Sequence, residues 1–129
     1  MMTGTLTQRR PSVLVVEDDP IVRMSAVDLV EDAGFLAYEA SNAAESVALL
    51  ERHGDIRVLF TDIDMPGAMD GRALAWAVRR RWPPVVIVMA SGHMTPAAEE
   101  MPAGAVFLRK PYPPSHLIRA LLTAAARFE

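Results

Sequence analysis

The chain has 129 residues, enough for one domain with a buried core and too few for two. A hydrophobic fraction of 51% with 22% charged residues excludes a disordered chain, and the lack of cysteine excludes disulfides and thiolate metal sites. The net charge of −3 gives no basic footprint for nucleic acid, and no stretch approaches the roughly 20 apolar residues that cross a bilayer.

Residues 1–10 are polar, end in Arg9 and Arg10 and have no apolar h-region, so they are read as a flexible tail ahead of one domain over 11–129, not as a signal peptide. Cytoplasm is the default location. Val13, Leu14, Val15 and Val16 form a run without polar alternation, the pattern of a strand covered on both faces, and it ends in acid at Glu17, Asp18 and Asp19. Asp19 followed by Pro20 predicts an N-cap and a first helical position. Val22, Ala26, Leu29, Val30 and Ala33 then recur at helical spacing until Gly34 closes the helix.

A second strand is predicted over 35–40, followed by a cap at Ser41, Asn42 and Glu45 and a helix with Val47 and Leu50 on one face. The third strand, 56–61, contains Val58, Leu59 and Phe60 and again ends in acid, at Asp62 and Asp64. Pro66, Gly67, Asp70 and Gly71 mark a loop before a helix carrying Leu74, Ala77 and Val78. Residues 85–90 are an unbroken apolar strand. Pro96, Pro102 and Gly104 leave room for only a short helix over 94–101, a fifth strand spans 105–108, and Leu117, Ile118, Leu121, Leu122 and Ala125 define a closing amphipathic helix.

Strands alternating with helices imply a doubly wound, five-stranded parallel α/β sheet, because right-handed crossovers lay helices on both faces. The common order is 2-1-3-4-5, flavodoxin-like, here with a short or irregular fourth helix. Such sheets bind ligands beyond the carboxyl ends of their strands, and Glu17, Asp18, Asp62 and Lys110 each follow a predicted strand. Singly, each acid is explained by the helix dipole, which favours carboxylates at helix N-termini. As a set, adjacent first and third strands bring three carboxylates together. Crowded like charges need a cation, and Mg²⁺ suits carboxylates, a carbonyl and retained waters. Lys110 supplies a point charge for phosphate oxygens. A metal, a lysine and a carboxylate are the equipment of phosphoryl transfer to a nucleophilic aspartate.

The run from Val13 to Pro20, the run Thr61-Asp62-Ile63-Asp64-Met65-Pro66-Gly67 with Asp70-Gly71, and the run Phe107-Leu108-Arg109-Lys110-Pro111-Tyr112 resemble, in order, the three signature blocks of response regulator receiver domains. The resemblance spans about residues 12–128. It implies a bacterial two-component or phosphorelay protein in which Asp62 takes a phosphoryl group from a histidine kinase or histidine phosphotransfer protein. Glu17, Asp18 and Asp62 would hold Mg²⁺, with Asp64 adding its backbone carbonyl. Lys110 would pair with the phosphoryl group, Pro111 is a candidate for a cis bond, and Phe107 matches the aromatic switch position. No enzymatic activity is expected beyond the protein's own phosphorylation and slow dephosphorylation.

Receiver domains usually end the fourth strand with a Thr or Ser that bonds the phosphoryl group. Aligning Ser91-Gly92 with the family's small pair puts Ala90 at that position, whereas a shift of one residue puts Ser91 there. With no effector segment following Phe128, output is expected through contact with a downstream protein that the sequence leaves unidentified. Two other readings compete. Asp62-Ile63-Asp64 also fits the Asp-x-Asp of haloacid dehalogenase-like phosphohydrolases, although that motif normally follows a first strand. A pseudo-receiver that binds partners without phosphorylation is the third. His53, His93 and His116 lack metal-ligand spacing, and Arg79-Arg80-Arg81 between Trp76 and Trp82 reads as a solvated helix end.

Overall fold

The sheet has buried central strands and partly exposed edge strands. In the computed structural model, which describes residues 11–67 and 69–128, these are β1 (Ser12–Val16), β2 (Leu36–Ala40), β3 (Ile56–Asp62), β4 (Val86–Ser91) and β5 (Val106–Arg109). The tail expected over 1–10 lies outside the described residues. Every residue of β1 and β4 is buried. All neighbouring strands pair in parallel in the order β2-β1-β3-β4-β5, as the strand-helix alternation predicts. The helices are α1 (Pro20–Asp32), α2 (Ala43–Arg52), α3 (Gly71–Arg81) and α4 (Pro114–Ala126).

Successive side chains on a strand point to opposite faces, and this alternation divides the core in two. Val13, Val15, Val58, Phe60, Val86, Val88, Ala90 and Leu108 face α1 and α4 through Val27, Val30, Leu117 and Leu121. Leu14, Val16, Leu59, Ile87 and Met89 face α2 and α3 through Leu50, Leu74 and Val78. Burying each such aliphatic contributes about 1.5–3 kcal/mol relative to exposure.

The helix starts are where the sequence places them. Asp19 accepts from the amides of Ile21 and Val22 at 2.9 and 3.2 Å, Asn42 from Glu45 at 2.8 Å, and Asp70 from Arg72 and Ala73 at 3.0 Å each. Gly34, at φ 94°, turns the chain after α1. Between β4 and β5 the only helical element among the described residues is a 3₁₀ turn, Ala98–Glu100, which meets the expectation of a short or irregular fourth helix. The Trp76 indole donates to the Glu100 carbonyl at 3.1 Å, and Arg72 pairs with the Glu100 carboxylate at 3.1 Å. Arg79 donates to the Ala103 carbonyl at 3.0 Å.

Every strand is displaced by one residue at one end or both: β1 begins one residue earlier than predicted, β2, β4 and β5 begin one later, and β3, β5 and β4 end one later, β4 at Ser91 instead of 90.

Candidate functional site

The order of the sheet sets the ends of β1 and β3 side by side, with Val16 opposite Thr61. Glu17, Asp18 and Asp62 therefore converge, each offering one carboxylate oxygen within 4.8 Å of the others. Glu17 and Asp62 are buried and Asp18 is exposed. The Lys110 ammonium reaches in from the end of β5, 3.0 Å from Glu17 Oε1 and 3.1 Å from Asp62 Oδ1. The Lys110-Pro111 bond is cis, as expected for Pro111.

One lysine thus serves two buried acids with a third beside them. Burial pushes the Glu17 carboxyl up despite the Asp19 amide and Lys110, and it pushes Asp62 up despite Lys110. Burial acts on Lys110 in the opposite sense, yet its bonds to Glu17 and Asp62 prevail and hold the ammonium above the usual lysine range. Asp62 Oδ1 meets Lys110 only as an ion pair, with no hydrogen bond of good geometry among the described residues. An enclosed carboxylate oxygen without a full complement of donors, amid surplus negative charge, suits a hard divalent cation with oxygen ligands. The acidic cluster can hold a metal. The Asp64 carboxylate is outside this cluster and accepts from the Ser91 hydroxyl at 2.6 Å.

The end of β4 separates the two candidates for the hydroxyl position, and the register sets Ala90 opposite Asp62. Ala90 lies on the α1/α4 face with Leu108 and lines a small cavity with Asp62, Lys110 and Tyr112. Ser91 follows Met89 onto the other face, the one against which Phe107 packs, and Met89 is the register partner of Phe107. The alternation of β4 therefore puts the serine hydroxyl, not the alanine methyl, on the side of the aromatic residue. Asp62, the register partner of Ala90, lies on the Ala90 face, and Ser91 is not among the residues that line the cavity with it.

Three contributors escaped the sequence reading. Arg23 donates to the Glu17 carbonyl at 2.8 Å, and nothing in its place on α1 marks it. Tyr112 lines the cavity beside Asp62 and Lys110. Gly71 has the clearest physical reason, because a Cβ there would stand 2.0 Å from the Asp62 carbonyl oxygen and 2.7 Å from the Ile63 Cα. Both atoms are backbone, so the strand end itself must move. We expect Gly71→Ala to cost more than the roughly 1–3 kcal/mol typical of overpacking and to displace Asp62. Urea denaturation checks this, and an unchanged midpoint refutes it.

The histidines stay out of the site: His53 stacks on Tyr38 with ring centroids 4.4 Å apart, and His93 and His116 are exposed. The arginines after Trp76 are engaged elsewhere. Arg81 pairs with Glu51 at 2.7 Å and lies over Trp82, and Arg79 donates to the Pro83 carbonyl at 2.8 Å.

Acids at the ends of the first and third strands with a lysine after the fifth are what known proteins can now be compared with. Residues 13–122 match the response regulator receiver domain. The chain belongs to this family. It is 33% identical over 105 residues to the sensor kinase CckA of Brucella abortus, covering 78% of this chain and 11% of that protein. It is 30% identical to the transcriptional regulatory protein PdtaR of Mycobacterium tuberculosis, over 98% of this chain and 64% of that protein. The chain thus spans less than two thirds of these relatives.

Solved receiver domains share the fold. A response regulator receiver domain protein from Clostridium thermocellum superposes with a TM-score of 0.84 at 25% identity, over 92% of this chain and 96% of that one. The receiver domain of NtrX from Brucella abortus gives 0.80 at 29% identity, over 88% and 98%. Receiver domains of two-component response regulators typically are phosphorylated and bind Mg²⁺. Asp62 ends the third strand, not the first, so the phosphohydrolase reading loses its footing. No helix among the described residues is long and apolar enough to cross a membrane.

Proposed function

We propose that this receiver domain is the phosphoacceptor of a phosphorelay, taking a phosphoryl group onto Asp62 from a phosphohistidine of a histidine kinase or histidine phosphotransfer protein. The observation that carries the reading is the convergence of Glu17, Asp18 and Asp62 around the Lys110 ammonium at the carboxyl edge of the sheet. In the transfer, an Asp62 carboxylate oxygen attacks phosphorus, the phosphorus–nitrogen bond of the donor breaks, and its electron pair returns to the imidazole, which takes up a proton. The product is an acyl phosphate.

Glu17, Asp18, Asp62 and the Asp64 carbonyl are the groups that would hold Mg²⁺, which when bound offsets the negative charge of the carboxylates and the phosphoryl oxygens. Lys110 already stands against Asp62 and is placed to follow a phosphoryl oxygen as charge builds there. Backbone amides nearby supply hydrogen bonds, Ala90 beside Asp62 offers none from its side chain, and Phe107 is the element that responds. The protein performs no turnover beyond gaining and slowly losing this group. It works in the cytoplasm and signals by contact with a downstream protein.

Acetyl phosphate with Mg²⁺, followed by intact-mass measurement, tests the reading. One phosphoryl group per chain is the expected result. Rapid multiple turnover identifies a phosphohydrolase, and no reaction identifies a pseudo-receiver.

A further inference from the structure

A strand end is where the backbone loses the hydrogen-bond partners that a sheet supplies. β1 and β2 pair as far as Val16 and Ala40, and the Glu17 amide still donates to the Ala40 carbonyl at 3.0 Å. The next peptide unit joins Glu17 to Asp18, and β2 has ended. Its carbonyl accepts instead from Arg23 Nη1 at 2.8 Å. Arg23 closes the first turn of α1, where its own amide donates to the Asp19 carbonyl at 2.8 Å. Helical side chains lean toward the helix N-terminus, and this one returns to the end of β1. There its Nε also donates to Glu39 Oε1 of β2 at 3.3 Å. Arg23 is half-buried and Glu17 is buried.

Two of the three acids of the cluster are thus carried on one peptide unit, and a side chain of α1 anchors that unit. Any shift of it moves both carboxylates relative to Asp62. We propose that Arg23 is a positioning residue of the cation site, holding the peptide unit between Glu17 and Asp18 so that both carboxylates converge on Asp62 and bind Mg²⁺ more tightly. The anchor rests on the reading of this cluster as the Mg²⁺ site. Its consequence runs against simple electrostatics. Arg23 is itself a cation near the site, so charge alone predicts that its removal strengthens Mg²⁺ binding, whereas loss of an anchor weakens it. The sign of the change separates the two.

Isothermal titration of Mg²⁺ into wild type and Arg23→Met at matched ionic strength reads that sign. Methionine keeps an unbranched apolar stem and loses the charge and every donor. The Kd for Mg²⁺ is expected to rise about tenfold, the lower end of what losing an outer partner of a metal ligand commonly costs. A Kd that falls overturns the anchor in favour of charge alone. A lowered melting temperature with an unchanged Kd overturns it in favour of a purely structural role. Arg23→Lys keeps the charge but lacks the fork that spans the Glu17 carbonyl and Glu39. It is expected to weaken binding in the same direction but by less, and an affinity equal to that of wild type refutes the anchor even if Arg23→Met does not fold. Wild type that binds no Mg²⁺ defeats the reading of the cluster itself. Binding that Asp18→Ala abolishes and Arg23→Met leaves unaltered defeats the anchor alone.

Discussion

Asp62→Asn is expected to abolish acetyl phosphate labelling and, at the same time, to make the metal-free protein more stable. The first effect follows from chemistry, since the amide is no nucleophile toward phosphorus. The second follows from charge. Lys110 divides itself between Glu17 and Asp62 with Asp18 close by, and neutralising Asp62 leaves the 3.0 Å Glu17–Lys110 bond intact while removing a buried carboxylate. We expect a rise of a few degrees in melting temperature at pH 7, the scale of about 1 kcal/mol in a domain of this size.

The pH dependence has a definite sign. The carboxyls of Asp62 and Glu17 are raised above their ordinary values of 3.8 and 4.5, first by burial. A group raised in the folded state contributes stability at pH below its unfolded value and loses that contribution as pH climbs through the folded one. The advantage of Asp62→Asn over wild type should therefore be absent below about pH 4, grow as the site charges, and then level off. Melts of both proteins across this window decide it. A variant that melts below wild type at pH 7 refutes the account of charge crowding, and a labelled variant puts the phosphoryl group elsewhere.

Mg²⁺ should stabilise the wild type by mass action, roughly 2.7 kcal/mol at a hundredfold excess over its dissociation constant. Asp18→Ala should lose most of that gain. Asp18 is the informative position because it is exposed and no ion pair involves it among the described residues, so its removal costs the metal-free fold little. It nonetheless contributes one of the three oxygens of the cluster. Thermal melts at matched ionic strength, which removes general screening, separate the two proteins. Equal gains in both place the cation site away from this cluster.

The separate charged groups of the site could be read from the chain because each follows an unbroken apolar run. Glu17 and Asp18 after Val13–Val16, Asp62 after Val58–Phe60 and Lys110 after the fifth strand are marked by a change of polarity that survives errors of a residue in the boundaries. The caps at Asp19 and Asn42 are legible for a similar reason, since each side chain bonds amides two or three residues along. Which of Ala90 and Ser91 shares the face of Asp62 was not legible. Residues 85–90 are apolar throughout, so nothing in the run shows which parity faces α3, and one residue of slip exchanges Ala90 for Ser91.

By itself the sequence determined the five strands, the parallel sheet and the residue types at its carboxyl edge, because hydrophobic periodicity, caps and turn residues act over a few positions. Only the tertiary structure decided what depends on separations of many residues. Pairing of β4 between β3 and β5 set Ser91 on the face of Phe107. Convergence of strand ends gave Lys110 two acids, 93 residues away at Glu17 and nearer at Asp62. The packing of α3 against the end of β3 left Gly71 no room for a side chain. Each is a close contact between parts of the chain that share no local pattern, so the physical reason lies in packing and not in propensity.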